Sequence, residues 1–242
     1  MNYTLVFLDT ETTGNTENDY LCQIAYKVKD EMFVELYKPP VKIPPEASAV
    51  SHITNKMVAD KAVFKESKDY AVIKTLLEDE SSILVAHNAK FDVGMLHRED
   101  ISPKKVICTL RVARYVDKEN KIPRYNLQYL RYFLEMEIEA QAHDAKGDVL
   151  VLEQLFPRLY DAVKKDIGTE DETQILEEMI RISSLPSIVQ TFMFGKYNGR
   201  RIAEIAHEDS KYLEWLLNAK LQNATADDED IIYTLKFYLG KL

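Results

Sequence analysis

Short β-branched and aromatic runs alternate along the chain with amphipathic stretches. Tyr3–Asp9, Cys22–Val28 and Met32–Tyr37 read as strands separated by turn-forming or charged breaks. Glu66–Glu78 places Tyr70, Ile73, Leu76 and Leu77 on one helical face. Ser82–Ala86 then reads as a buried strand, Ala89–Arg98 as a helix, Lys105–Thr109 as a further short strand and Asn126–Leu134 as a helix. Asp144–Lys165 carries Val149, Leu152, Phe156, Leu159 and Val163 at alternating three- and four-residue spacings, an amphipathic helix that Pro157 is expected to kink or divide. A three-stranded meander followed by βα units predicts an α/β fold, a mixed sheet flanked by helices.

Asp166–Glu172 marks a boundary. Beyond it, Gln174–Ile182 is a short amphipathic helix, and Phe192–Ile202 contains Asn198-Gly199, the dipeptide of two-residue hairpin turns. Tyr212–Leu217 and Ile231–Leu239 are further helices. The expected organisation is a domain over 1–165, a boundary and linking helix over 166–185, and a small α+β module over 186–242. The acidic run Asp227–Asp230 is assigned to the first turn of the last helix, where it complements the helix dipole.

Composition narrows the function classes. The 242 residues hold 40 acids against 31 Lys and Arg, a net charge of -9 that argues against electrostatic coating of nucleic acid. Only 7 glycines are present, and no glycine-rich phosphate loop can be written from them. No apolar run is long enough to span a bilayer. The N-terminus lacks a basic-then-apolar leader, and the two cysteines, Cys22 and Cys108, have no redox or metal spacing. A cytoplasmic protein without membrane contact is expected.

Three polar elements interrupt this pattern at strand ends and helix starts. Asp9-Thr10-Glu11 ends the first strand, where alternation sends both carboxylates to one side. His87-Asn88-Ala89-Lys90-Phe91-Asp92 follows a buried strand, with Asn88 a candidate N-cap and Asp92 one turn into the helix. His143-Asp144-Ala145-Lys146-Gly147-Asp148 opens the long helix, and Asp148 lies on its apolar side, where a carboxylate is costly unless a cation meets it. His143 is then placed on the preceding loop or first turn. Four carboxylates and an imidazole suit a pair of hard divalent cations with a general base.

Together these elements resemble the DEDDh group of 3′–5′ exonucleases, in the ribonuclease H-like superfamily, which includes the DNA polymerase III epsilon subunit. The resemblance covers residues 1–165. It implies that Asp9, Glu11, Asp92 and Asp148 hold two Mg²⁺ or Mn²⁺ ions. It further implies that His143 deprotonates the water attacking the terminal phosphodiester, releasing 5′-mononucleotides. Thr10, Thr12, His87 and Phe91 match positions that line the 3′-terminal nucleotide, although Phe91 also suits a core position and the threonines a loop support. Ser51-His52-Ile53-Thr54 resembles the group's His-Gly-Ile-Thr element without its glycine, and no role passes to His52.

Two further regions bear on nucleic acid. Lys104–Met136 holds eight bases against three acids, interleaved with Tyr115, Tyr125, Tyr129 and Tyr132, a pattern that suits a single strand as well as a solvated helix face. Phe194–Arg200 and Tyr212–Leu217 resemble the small domain of exodeoxyribonuclease X-type proteins, with Lys196, Arg200 and Arg201 at its hairpin. Gln190-Thr191-Phe192-Met193-Phe194 is also similar to peptides that dock on sliding clamps, while Phe192 and Phe194 equally fit an ordered strand. The expected activity is a metal-dependent 3′–5′ exonuclease on single-stranded DNA ends, in repair or degradation. An RNA-trimming nuclease, a proofreading subunit and a non-catalytic nucleic-acid-binding module remain the alternatives. The charge balance accommodates the enzyme: residues 1–165 carry net -3, which two divalent cations would turn to +1, and residues 166–242 carry -6.

Overall fold

In the computed structural model, which describes residues 3–16, 18–138, 144–222 and 228–242, alternation along β1 (Thr4–Thr12) sets the architecture. Its odd positions face one layer of helices and its even positions the other. The elements continue as β2 (Leu21–Val28), β3 (Glu31–Leu36), α1 (Pro45–Ser51), α2 (Asn55–Val58), α3 (Tyr70–Glu78), β4 (Ser82–Ala86), α4 (Lys90–Arg98) and β5 (Val106–Cys108). Then come α5 (Thr109–Val116), α6 (Leu127–Phe133), α7 (Ala145–Ile167), α8 (Glu172–Ser184), α9 (Ile202–Glu208), α10 (Ser210–Gln222) and α11 (Glu229–Tyr238).

The sheet has the order β3-β2-β1-β4-β5, antiparallel across β3, β2 and β1 and parallel across β1, β4 and β5. This is the expected mixed sheet. Phe7 packs with Val149, Leu152 and Phe156 of α7 in one core, its ring 5.4 Å from that of Phe156 in an edge-on contact. Val6 and Leu8 pack with Ile73 and Leu77 of α3 and Leu96 of α4 in the other. At roughly 25 cal/mol per Å² of apolar surface, these two layers are the main source of stability.

The expectation for Pro157 is corrected. α7 runs unbroken through Pro157, which does not divide it. Pro157 is exposed, so the carbonyl it leaves without a donor can be hydrated. The helix of the 166–185 stretch, α8, packs into the first core through Ile175, Leu176, Met179 and Ile182.

The tail has its own core, with Phe192, Ile202, Leu213, Leu217 and Leu235. Among its described residues the expected hairpin reduces to one antiparallel bridge, Thr191 to Arg201. Gly199, at φ 84, takes a left-handed turn conformation, and its N–H donates to the Phe192 carbonyl at 2.7 Å. The aromatic side chain of Phe192 drops into the core instead of alternating along a strand.

Candidate active site

The parity of β1 assembles the site. Asp9 and Glu11 share the side of Phe7 and so point toward α7, whose first turn presents Asp148. Carboxylate oxygens of Asp9, Glu11 and Asp148 all lie within 4.8 Å of one another. Thr10 has the opposite parity and meets α4. Its backbone N–H and hydroxyl donate to Oδ1 of Asp92 at 3.1 and 2.7 Å, which fixes that carboxylate in the first turn of α4. Asp92 is thus held by Thr10 and lies outside the three-carboxylate group, while still acting electrostatically on Asp9 and Glu11.

The electrostatics push three of these carboxyls toward the protonated form. Burial, followed by Asp92, Asp148, Glu11 and Asp144, pushes the Asp9 carboxyl well above its ordinary range. Burial, then Asp148, Asp92 and Asp144, raises Glu11 to about 8. Asp92 rises to about 7, with burial outweighing the hydrogen bonds from Thr10. Buried carboxylates of one sign are tolerable only when protonated or when a cation joins them. Gln23, the cross-strand partner of Glu11, also buries Oε1 without a hydrogen-bond partner. An all-oxygen donor set of this kind fits a hard divalent cation.

Two contributors have no role assigned by the sequence motifs. Gln128 donates a hydrogen bond from Nε2 to Asp148 Oδ1, which orients that carboxylate from α6. Asp144, the N-cap residue of α7, adds negative charge to the group; its only sequence signal is its place one turn before Asp148. Asn88 is not the N-cap of α4. That position is Ala89, and Asn88 adopts φ 60 just before it, its carbonyl accepting from the Phe91 N–H at 2.9 Å.

His143 lies outside the described residues. His87 is pinned by the Thr109 hydroxyl at 2.9 Å and the Tyr125 carbonyl at 2.7 Å, and burial lowers it to about 4, so the ring is neutral and donates from Nε2. Thr12 is buried with its hydroxyl donating to the Gly14 carbonyl, and Phe91 is half-buried at the start of α4. His52 caps α1 at φ 60, a left-handed conformation suited to the glycine of the resembling element.

Much of the basic character is spent within the protein. Arg111 and Arg114 bind Asp230 at 3.0 and 2.7 Å, and Arg111 also binds Glu229. At the tail turn, Lys196 pairs with Asp209, Arg200 with Glu204 and Glu208, and Arg201 donates to the Asn120 carbonyl. The tail residues noted for nucleic-acid contact are therefore internally paired. Asp230, expected only to complement a helix dipole, joins the tail to α5.

Comparison with known proteins decides the family. The profile described as Exonuclease matches residues 6–156. The chain belongs to the exonuclease family. The DEDDh assignment made on the motifs stands within it, and residues 192–220 match the exodeoxyribonuclease X-like C-terminal family. Exodeoxyribonuclease 10 of Escherichia coli (strain K12) is 31% identical, covering 97% of this chain and 98% of that protein. The DNA polymerase III subunit epsilon of Treponema pallidum is 35% identical over 61% of this chain and 72% of its own. A structure of exonuclease X in complex with 5′ overhanging duplex DNA superposes with a TM-score of 0.55 at 26% identity, over 74% of this chain and 99% of that one. This exonuclease is a divalent-metal enzyme by family and by its acidic cluster. No helix among the described residues is long and apolar enough to cross a membrane.

Proposed function

We propose that this 3′–5′ exodeoxyribonuclease acts mainly on single-stranded DNA ends, releasing 5′-mononucleotides in DNA repair or degradation. Asp9, Glu11, Asp92 and Asp148 are the ligands of two Mg²⁺ or Mn²⁺ ions, and His143 is the general base. The observation that carries this reading is the group of three mutually repelling carboxylates within 4.8 Å, with Asp92 fixed beside them by Thr10. When bound, the ions would neutralise the phosphate charge that the acids alone would repel. The chain's own residues do the remaining work. Thr10 and Gln128 hold Asp92 and Asp148 in place, and His143 accepts the proton of the attacking water.

Thr10, Thr12, His87 and Phe91 are assigned to the pocket for the terminal nucleotide, Thr10 also holding Asp92. Since both nitrogens of His87 are engaged, it offers that nucleotide a ring surface. The cytoplasm is the assigned compartment, consistent with Cys22 and Cys108 being buried and unpaired. A sliding-clamp contact through Gln190–Phe194 would have to use Met193 and Phe194, which are exposed, since Phe192 is buried in the tail. Capture by purified clamp, lost in Phe194→Ala, is its test.

The activity test is nucleotide release from 3′-labelled DNA and RNA oligomers with Mg²⁺ or Mn²⁺. We expect DNA to be cut faster than RNA, and Asp9→Ala and His143→Ala to lose at least about a hundredfold in rate. Unchanged rates in both variants would refute the residue assignments, and faster cutting of RNA would refute the substrate.

A further inference from the structure

A cavity of about 590 Å³ lies between the exonuclease domain and the tail. Asn88, Arg124 and Tyr125 line it on one side and Met193, Phe194 and Lys220 on the other. The two sides are tied together by the Arg111 and Arg114 contacts to Asp230, and by Lys90 to Glu229 at 3.0 Å, so the cavity is present before any ligand arrives.

Its lining combines apolar, neutral polar and charged side chains. Phe194 and Met193 are 40% and 53% exposed, unusual for large apolar side chains in an ordered turn. Both carboxylates in the wall already have cations, Asp228 from Lys220 at 2.6 Å and Asp230 from the two arginines. Arg124 has no ion-pair partner among the described residues and is exposed, with its guanidinium 5.9 Å from the Tyr129 ring centre. The cavity therefore offers an aromatic ring on one wall, with the Lys220 ammonium 5.6 Å from its centre, and an available positive charge on the other, groups that can hold a stacked base and its phosphate.

The cavity adjoins the pocket assigned to the terminal nucleotide, since His87 lines it as well. Asn88 directly precedes the turn into α4 that carries Asp92. Asn126 is shared with a neighbouring depression formed by Gln128, Tyr129, Tyr132 and Phe133. Gln128 in that depression is the residue that orients Asp148.

We propose that this interdomain cavity binds a nucleotide of the single strand upstream of the scissile 3′ end, with its base on Phe194 and its phosphate at Arg124. The proposal rests on the reading of single-stranded DNA as substrate. The tail is then part of the substrate path, and it extends the grip of the enzyme beyond the terminal nucleotide. A protein peptide is the poorer occupant, because the cavity's free charge is positive and Phe192, the centre of the Gln190–Phe194 segment, is locked in the tail core.

Arg124→Gln and Phe194→Ala in the full chain test this, with a thymidine trimer and an oligomer of about 15 nucleotides. We measure KM with Mg²⁺ and, separately, binding by fluorescence anisotropy in EDTA. Each variant is expected to raise KM and Kd about tenfold on the longer strand and about twofold at most on the trimer. Phe194→Leu, which keeps apolar bulk without the ring, gives the same loss and guards against a folding defect in Phe194→Ala. Wild-type values on the longer strand, or an equal loss on both lengths, would overturn the inference while leaving the substrate reading intact. Unchanged DNA constants with lost clamp capture would also overturn it, assigning Phe194 to a peptide contact. A wild-type enzyme that cuts neither strand would instead overturn the substrate reading, and the inference with it.

Discussion

Glu11 carries a charge that the folded chain does not favour without a cation. Burial and three neighbouring acids raise its carboxyl from 4.5 to about 8. A folded-state pKa above the unfolded value binds protons more tightly when folded. The associated stability is fully present below pH about 4.5 and is lost as pH rises through about 8. Glu11→Gln removes that dependence. In EDTA at pH about 8.5, its urea-unfolding stability should exceed that of wild type by about 2 kcal/mol, discounted for the partial solvent contact of Glu11. Saturating Mg²⁺ should reverse the order, because the variant has lost a ligand. A variant less stable than wild type in EDTA would show that the acids are not in conflict. Thr10 answers part of the same problem for Asp92, where two hydrogen bonds oppose a burial penalty that still prevails.

At the scale of elements, strand alternation made the central part of the site readable in advance. Asp9 and Glu11 share a face because they are two residues apart, and Asp148 lies on the buried stripe of α7 because it neighbours Val149 and Leu152. Gln128 was not legible, because nothing local shows that α6 abuts the start of α7. The hairpin failed for a related reason: Asn198-Gly199 does turn the chain, but the tail core draws Phe192 inward before a ladder can form. Pro157 illustrates a local rule overridden by packing. Leu155, Phe156 and Leu159 anchor both sides of it in the first core, while the proline faces water. The helix therefore bears the missing hydrogen bond as a cost. Pro157→Ala restores the donor, and we expect it to stabilise the protein by about 1–3 kcal/mol in urea unfolding. A lower denaturation midpoint would mean that the proline ring makes contacts that outweigh the backbone gain.

Across the whole molecule, the tail is attached by charge at its junction with α5. Asp230 receives Arg111 and Arg114, and its carboxylate also accepts from the backbone N–H and hydroxyl of Ser187 at 3.1 and 2.9 Å. The two arginines lie more than a hundred residues from Asp230 in sequence, so an acidic helix start gave no sign of them. Burial lowers Arg114 from its ordinary value, so this guanidinium depends on the carboxylate it meets. Removing one partner of such a set leaves the others desolvated and unpaired, which costs about 3–5 kcal/mol. Asp230→Ala should therefore detach the tail in preference to unfolding the exonuclease domain, whose cores are made of other residues. Limited proteolysis should then cut within 185–191 faster than in wild type, and thermal unfolding should split into two transitions. Asp230→Asn, which can still accept hydrogen bonds, should show a smaller effect. Wild-type proteolysis in both variants would mean that apolar contact alone holds the tail, and that the arginines are incidental to the junction.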